Sequence, residues 1–88
     1  MEPRDTIDAE ALALQALAAT LADGKRADRL LALTGLTPEE LRARLGDRSL
    51  LTACLDFLES HEPDLIAVAE LMATTPATLV AVRRSLDA

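Results

Sequence analysis

Aromatic side chains are nearly missing from this chain: Phe57 stands alone, with no Trp and no Tyr. A protein that recognises nucleic-acid bases by stacking needs a platform of several aromatic rings, so that mode of recognition is excluded. Cysteine is equally scarce. The single Cys54 forms no internal disulfide, and its neighbours Leu51, Leu55 and Leu58 place it on an apolar helix face, where a free thiol behaves as a small buried hydrophobe. A nucleophilic role would need a base nearby, and the only histidine, His61, is seven positions away at an expected helix end. Three Gly and four Pro in 88 residues leave few breaks, and no β-branched alternating run is present, so strands are not expected. Long apolar runs are also lacking. "AEALALQALAATLA" falls short of the roughly 20 apolar residues that span a bilayer and contains Glu10 and Gln15. "MEPRDTIDAE" has no basic start leading into an apolar stretch, so no signal peptide is read there. A soluble cytoplasmic protein is the expectation.

What remains is a Leu- and Ala-rich chain, half apolar, long enough for one compact domain over residues 1–88, with 1–5 expected to be disordered. The reading is an all-α compact orthogonal bundle of five to six short helices. Charge is uneven. The net −6 divides into −4 over residues 1–24, +2 over 25–48, −5 over 49–82 and +1 over 83–88. An acidic whole opposes broad phosphate binding, though a basic middle could keep a local face.

The first helix is expected from about Ile7 to Ala22, with Asp5 or Thr6 as N-cap and Gly24 just past its end. Its polar residues Glu10, Gln15 and Thr20 are five apart and mark no single wet face. Such a helix is either central to the core or covered by a partner. Leu14, Leu17 and Leu21 form one stripe. Leu12, Ala16 and Ala19 form another, and this second stripe is the candidate self-association face.

"KRADRLLAL" reads as a second helix ended by Gly35. The third has complete start chemistry: Leu36 at N′, Thr37 at N-cap, Pro38 at N1, Glu40 at N3 and Leu41 at N4. Thr37 and Glu40 suit a capping box, and Leu36 suits a staple onto Leu41. The helix is expected to stop near Leu45, capped by Gly46. Asp47 or Ser49 starts a fourth helix to about Ser60, with Leu50, Leu51, Cys54, Leu55 and Leu58 inward. Pro63 opens a fifth carrying Leu65, Val68, Ala69 and Met72, and Thr75-Pro76 opens a last one with Leu79, Val82 and Leu86 inward.

At an offset of 38, Leu33, Thr37, Pro38, Leu41 and Ala43 coincide with Leu71, Thr75, Pro76, Leu79 and Ala81. The same helix-corner-helix unit is thus used twice. Leu31, Gly35 and Leu41, or Ala69, Ala73 and Leu79, have the spacing of a helix-turn-helix. The reading positions would be Pro38, Glu39 and Glu40, or Pro76, Ala77 and Thr78. Two carboxylates repel phosphate and the second set is neutral and short, so nucleic acid is not the expected partner.

Lys25, Arg26, Arg29, Arg42, Arg44 and Arg48 are candidates for an anion-binding edge or a solvated face with pairs such as Glu40 to Arg44. "LESHEPD" gathers Glu59, His61, Glu62 and Asp64 but lacks a second His or Cys at ligand spacing, and matches no calcium loop. No phosphate-cradling loop or nucleophilic triad is present. No metal, cofactor, small-molecule substrate or catalysis is expected.

The runs "DAEALALQALA", "LLALTGLTPEELRARLGD" and "LLTACLDFLESHEPDLIAVAE" resemble a family of small Ala- and Leu-rich helical proteins of alphaproteobacteria, catalogued as a domain of unknown function. The resemblance covers nearly the whole chain, most specifically Ala9–Ala18, Leu33–Leu41 and Leu55–Leu58. Where such sequences tend to carry glycine before the last helix, this one has Ala73. The resemblance implies the helical fold and a bacterial cytoplasm, and no activity. The functional expectation is a noncatalytic protein-interaction module that binds a protein partner or a second copy, with Leu12, Ala16, Ala19, Arg42 and Arg44 as its candidate face. The alternative is a degenerate helix-turn-helix regulator.

Overall fold

In a computed structural model, which describes residues 3–87 and side chains from Ala9 to Asp87, the chain forms six helices. They are α1 (Pro3–Leu21), α2 (Gly24–Thr34), α3 (Pro38–Ala43), α4 (Arg48–Glu59), α5 (Glu62–Leu71) and α6 (Pro76–Asp87). No strand occurs among the described residues. The all-α bundle is as expected, and α5 and α6 meet at 97°.

α1 is the axis of the fold and packs against α2, α4, α5 and α6. Ala13, Ala16 and Leu17 are fully buried, and Ala9 nearly so. Small side chains on this face let four helices approach α1 closely. Thr20, also fully buried, donates its hydroxyl to the Ala16 carbonyl at 2.7 Å and accepts the Cys54 thiol at 3.7 Å. A buried hydroxyl thereby has both roles filled, which removes the penalty of leaving it unmade.

The core-facing leucines of α4, α5 and α6 are those their helical spacing selects. Leu50, Leu51, Cys54, Leu55 and Leu58 are buried on α4, Leu65, Val68 and Ala69 on α5, and Leu79, Val82 and Leu86 on α6. Phe57 joins them. Each leucine, valine or phenylalanine among them contributes about 1.5–3 kcal/mol on leaving water.

Several helix ends differ from the sequence reading. α1 starts at Pro3, so Asp5 and Thr6 are inside it instead of capping it. Of the stretch expected to be disordered, residues 1 and 2 lie outside the described residues, and residues 3–5 are helical. Gly24 does not close α1; it is the first residue of α2, whose N-cap is Asp23, accepting the Arg26 N–H at 3.0 Å. α3 ends at Ala43 because the Arg44 N–H closes onto the Leu41 carbonyl and the Asp47 N–H onto that of Arg44. This tight turn needs no left-handed residue, and Gly46 is not one. The α3 start is as read: Thr37 accepts the Glu40 N–H at 3.1 Å, Glu40 accepts the Thr37 N–H at 3.0 Å, and Leu41 is buried. Hydrogen bonding to Thr37 holds the Glu40 carboxyl below its ordinary pKa.

Candidate interaction surface

The outward face of α1 is unusual for a helix in water. Ala11, Leu14, Gln15, Ala18 and Ala22 are exposed, and residues 11–22 include no charged side chain. Leu14 stands 43 % exposed. Seven residues on, on the same side of the helix, Leu21 lines a groove of about 330 Å³ with Ala27 and Leu31 of α2 and Pro38, Leu41 and Arg42 of α3. An apolar strip therefore runs along α1 and enters an apolar groove at its C-terminal end. Large exposed apolar patches often mark contact sites.

Local interactions set the groove's walls. Asp23 caps α2, and Arg26 reaches back to donate to the Ala19 carbonyl at 3.4 Å, placing a cation at the end of α1. The capping box fixes the first turn of α3, and its buried Leu41 holds that short helix against the bundle.

The expected face is divided. Ala16 is fully buried, and Leu12 and Ala19 pack half-buried against the core, so this stripe faces inward and is corrected to core. The neighbouring strip around Leu14 is the one left to solvent. Arg42 and Arg44 are both exposed but do not act together. Arg42 is the sole charged residue of the groove and makes no ion pair among the described residues. Arg44 pairs with Asp47 at 3.5 Å and borders a separate pocket of about 210 Å³ with Thr34, Leu36, Ser49, Leu50 and Ala53.

The wider basic edge is likewise dispersed. Arg26 serves the end of α1, Arg29 pairs with Asp64 at 2.8 Å, and Arg48 reaches Glu10 at 3.1 Å. Lys25 and Arg42 remain without an acidic partner among the described residues. The Arg29–Asp64 pair had no local signal, since its members are 35 residues apart. Asp64 is 6 % exposed, and Arg29 also lies 5.9 Å from the centroid of the Phe57 ring. His61 Nδ1 stands 3.0 Å from Asp64 Oδ2 without the alignment of a hydrogen bond. His61 and Asp64 do come together, then, with an arginine completing the cluster. A second cluster sets Arg83 of α6 against Glu59 and Asp56 of α4 and Asp87 of its own helix.

Cys54 is buried, and burial pushes its thiol up to about 11, opposed by the hydrogen bond to Thr20. At neutral pH it stays protonated, unlike a reactive cysteine.

The family model described as a protein of unknown function (DUF3572) matches residues 6–88. The chain belongs to the DUF3572 family. No curated protein and no solved structure matches it. For this DUF3572 chain the match takes in all of α2 to α6 and most of α1, so both helix-corner-helix units and the apolar strip lie within the family's span. No single described helix is long and apolar enough to cross a membrane.

Proposed function

We propose that this DUF3572 chain is a noncatalytic protein-interaction module of the alphaproteobacterial cytoplasm, and that its contact surface is the outward strip of α1 with the adjoining groove. The observation that carries the reading is the uncharged solvent face from Ala11 to Ala22. A solvated helix face ordinarily carries charged side chains. The cytoplasmic setting rests on the family resemblance.

The second reading, a degenerate helix-turn-helix regulator, is supported by the 97° turn between α5 and α6. Against it, α6 turns Ala77 and Ala81 outward near its start, and Arg83 is engaged by Glu59. The six-residue α3 presents exposed Glu39 and Glu40.

Affinity purification from source cells, with nuclease present, tests the first reading. The wild-type chain is expected to retain a protein, either another chain or its own untagged copy, that Leu14→Glu loses. Equal retention by both would overturn the placement on α1. Retention that disappears only when nuclease is added would favour the DNA reading.

A further inference from the structure

We infer that the occupant of the α1 strip is a second copy of this chain, with the two α1 helices packed antiparallel about a two-fold axis at the level of Ala16. The inference rests on the reading of that strip as a contact surface.

Its first support is the order of large and small side chains along the strip. Outward-facing Ala11, Leu14 and Ala18, with half-buried Leu21 at the edge, alternate in size. In an antiparallel pair centred at this level, residues whose numbers sum to 32 lie opposite each other. Leu14 of one copy then faces Ala18 of the other, and Leu21 faces Ala11. Every large side chain meets a small one, and the two-fold repeats each contact, which is what a self-complementary interface requires. Alanine opposite leucine also lets the axes approach to the short end of the usual 8–10 Å range, about 8 Å.

Charge supplies the second support and chooses the direction. At the Leu21 end stand Lys25 and Arg42, neither in an ion pair among the described residues. The other end of α1, its first turns over residues 3–10, holds three acidic residues, Asp5, Asp8 and Glu10, and one basic residue, Arg4, with Glu10 engaged by Arg48. An antiparallel pair sets Lys25 and Arg42 of each copy beside the acidic end of the other. A parallel pair would bring the two acidic ends together. Complementary ends of this kind fix register and orientation more than they add affinity.

Light scattering at concentrations up to millimolar and disulfide trapping between single-cysteine variants test this together. The expected mass is twice the 9.4 kDa of one chain, reverting to one chain in Leu14→Glu with the helical signal unchanged. Leu14→Cys mixed with Ala18→Cys is expected to give the mixed disulfide in preference to either like pair; the native Cys54 is buried and does not compete. Arg42→Glu is expected to weaken the dimer about threefold at low salt, as for an exposed ion pair, and to have little effect in molar salt. A single-chain mass throughout would overturn the second-copy inference. So would a dimer trapped chiefly as the Leu14→Cys like pair. Neither result touches the broader contact-surface reading, which fails if Leu14→Glu leaves cellular partners unchanged.

Discussion

Gly35 and Ala73, 38 residues apart, close their helices in the same left-handed conformation, with φ of 74° and 55°. Ala73 is the only described non-glycine residue at positive φ. Gly35 donates its N–H to the Leu31 carbonyl at 2.8 Å, and the residue after Ala73 donates to the Ala69 carbonyl at 2.9 Å. Two residues beyond each, Thr37-Pro38 and Thr75-Pro76 begin the next helix. The faint repeat in the sequence is thus a repeat of corner geometry, and at Ala73 a methyl group occupies a backbone conformation that favours glycine.

Ala73→Gly is therefore expected to stabilise the fold. Relief of the left-handed cost of about 1–2 kcal/mol outweighs the added freedom of the unfolded chain, leaving about 0.5 kcal/mol. Gly35→Ala has open space for its methyl, so only the backbone objects, and it is expected to cost about 1 kcal/mol. Urea midpoints moving in opposite directions with an unchanged slope check both; two shifts of the same sign would refute the comparison.

Arg29 and Asp64 tie α2 to α5 through a carboxylate that is largely out of water. Arg29→Ala leaves that charge with His61 alone. The expected cost is about 1.5–3 kcal/mol, below the usual figure for a broken buried pair because the arginine is itself 45 % exposed. Asp64→Asn removes the charge as well, so the double variant is expected to be less destabilised than the sum of the two. A double-mutant cycle by denaturation reads the coupling, and strict additivity would show that the pair does not hold the corner.

Cys54 makes stability fall in alkali. Its folded pKa, about 11, lies above the ordinary thiol value of 9.0, so the folded state holds the proton more tightly. Its contribution is complete below pH 9 and declines as pH rises toward 11, by about 2–3 kcal/mol for two pKa units. The stability advantage of wild type over Cys54→Ala is expected to shrink across that window. A gap independent of pH would contradict the burial account. At pH 8, aromatic disulfide reagents are expected to label the native thiol far more slowly than the unfolded one.

Much of the bundle was legible because its signals are local. The Thr37–Glu40 capping box, Pro63 and Pro76 at helix starts and the leucine spacings of α4 to α6 each act within a turn or two, where sequence order sets geometry. α1 was harder to orient, since it is apolar around most of its circumference and periodicity cannot choose its inward side. Four packed helices make that choice, burying Ala13, Ala16 and Leu17 and leaving Leu14 outside. The same limit hid the Arg29–Asp64 and Arg83–Glu59 pairs, whose members meet only after the helices pack. Asp23 was overlooked as a cap because Gly24 beside it reads as a helix stop, although glycine is also tolerated at a helix start when the preceding side chain fills the first orphan N–H.

Photo-crosslinking inside source cells examines the proposed contact surface on α1 most directly. A photoreactive residue placed at Ala18, on the outward strip, is compared with one at Ala81, exposed on α6. Protein adducts from position 18 that are absent at position 81 are the predicted result. Adducts from position 81 and none from position 18 would contradict the account.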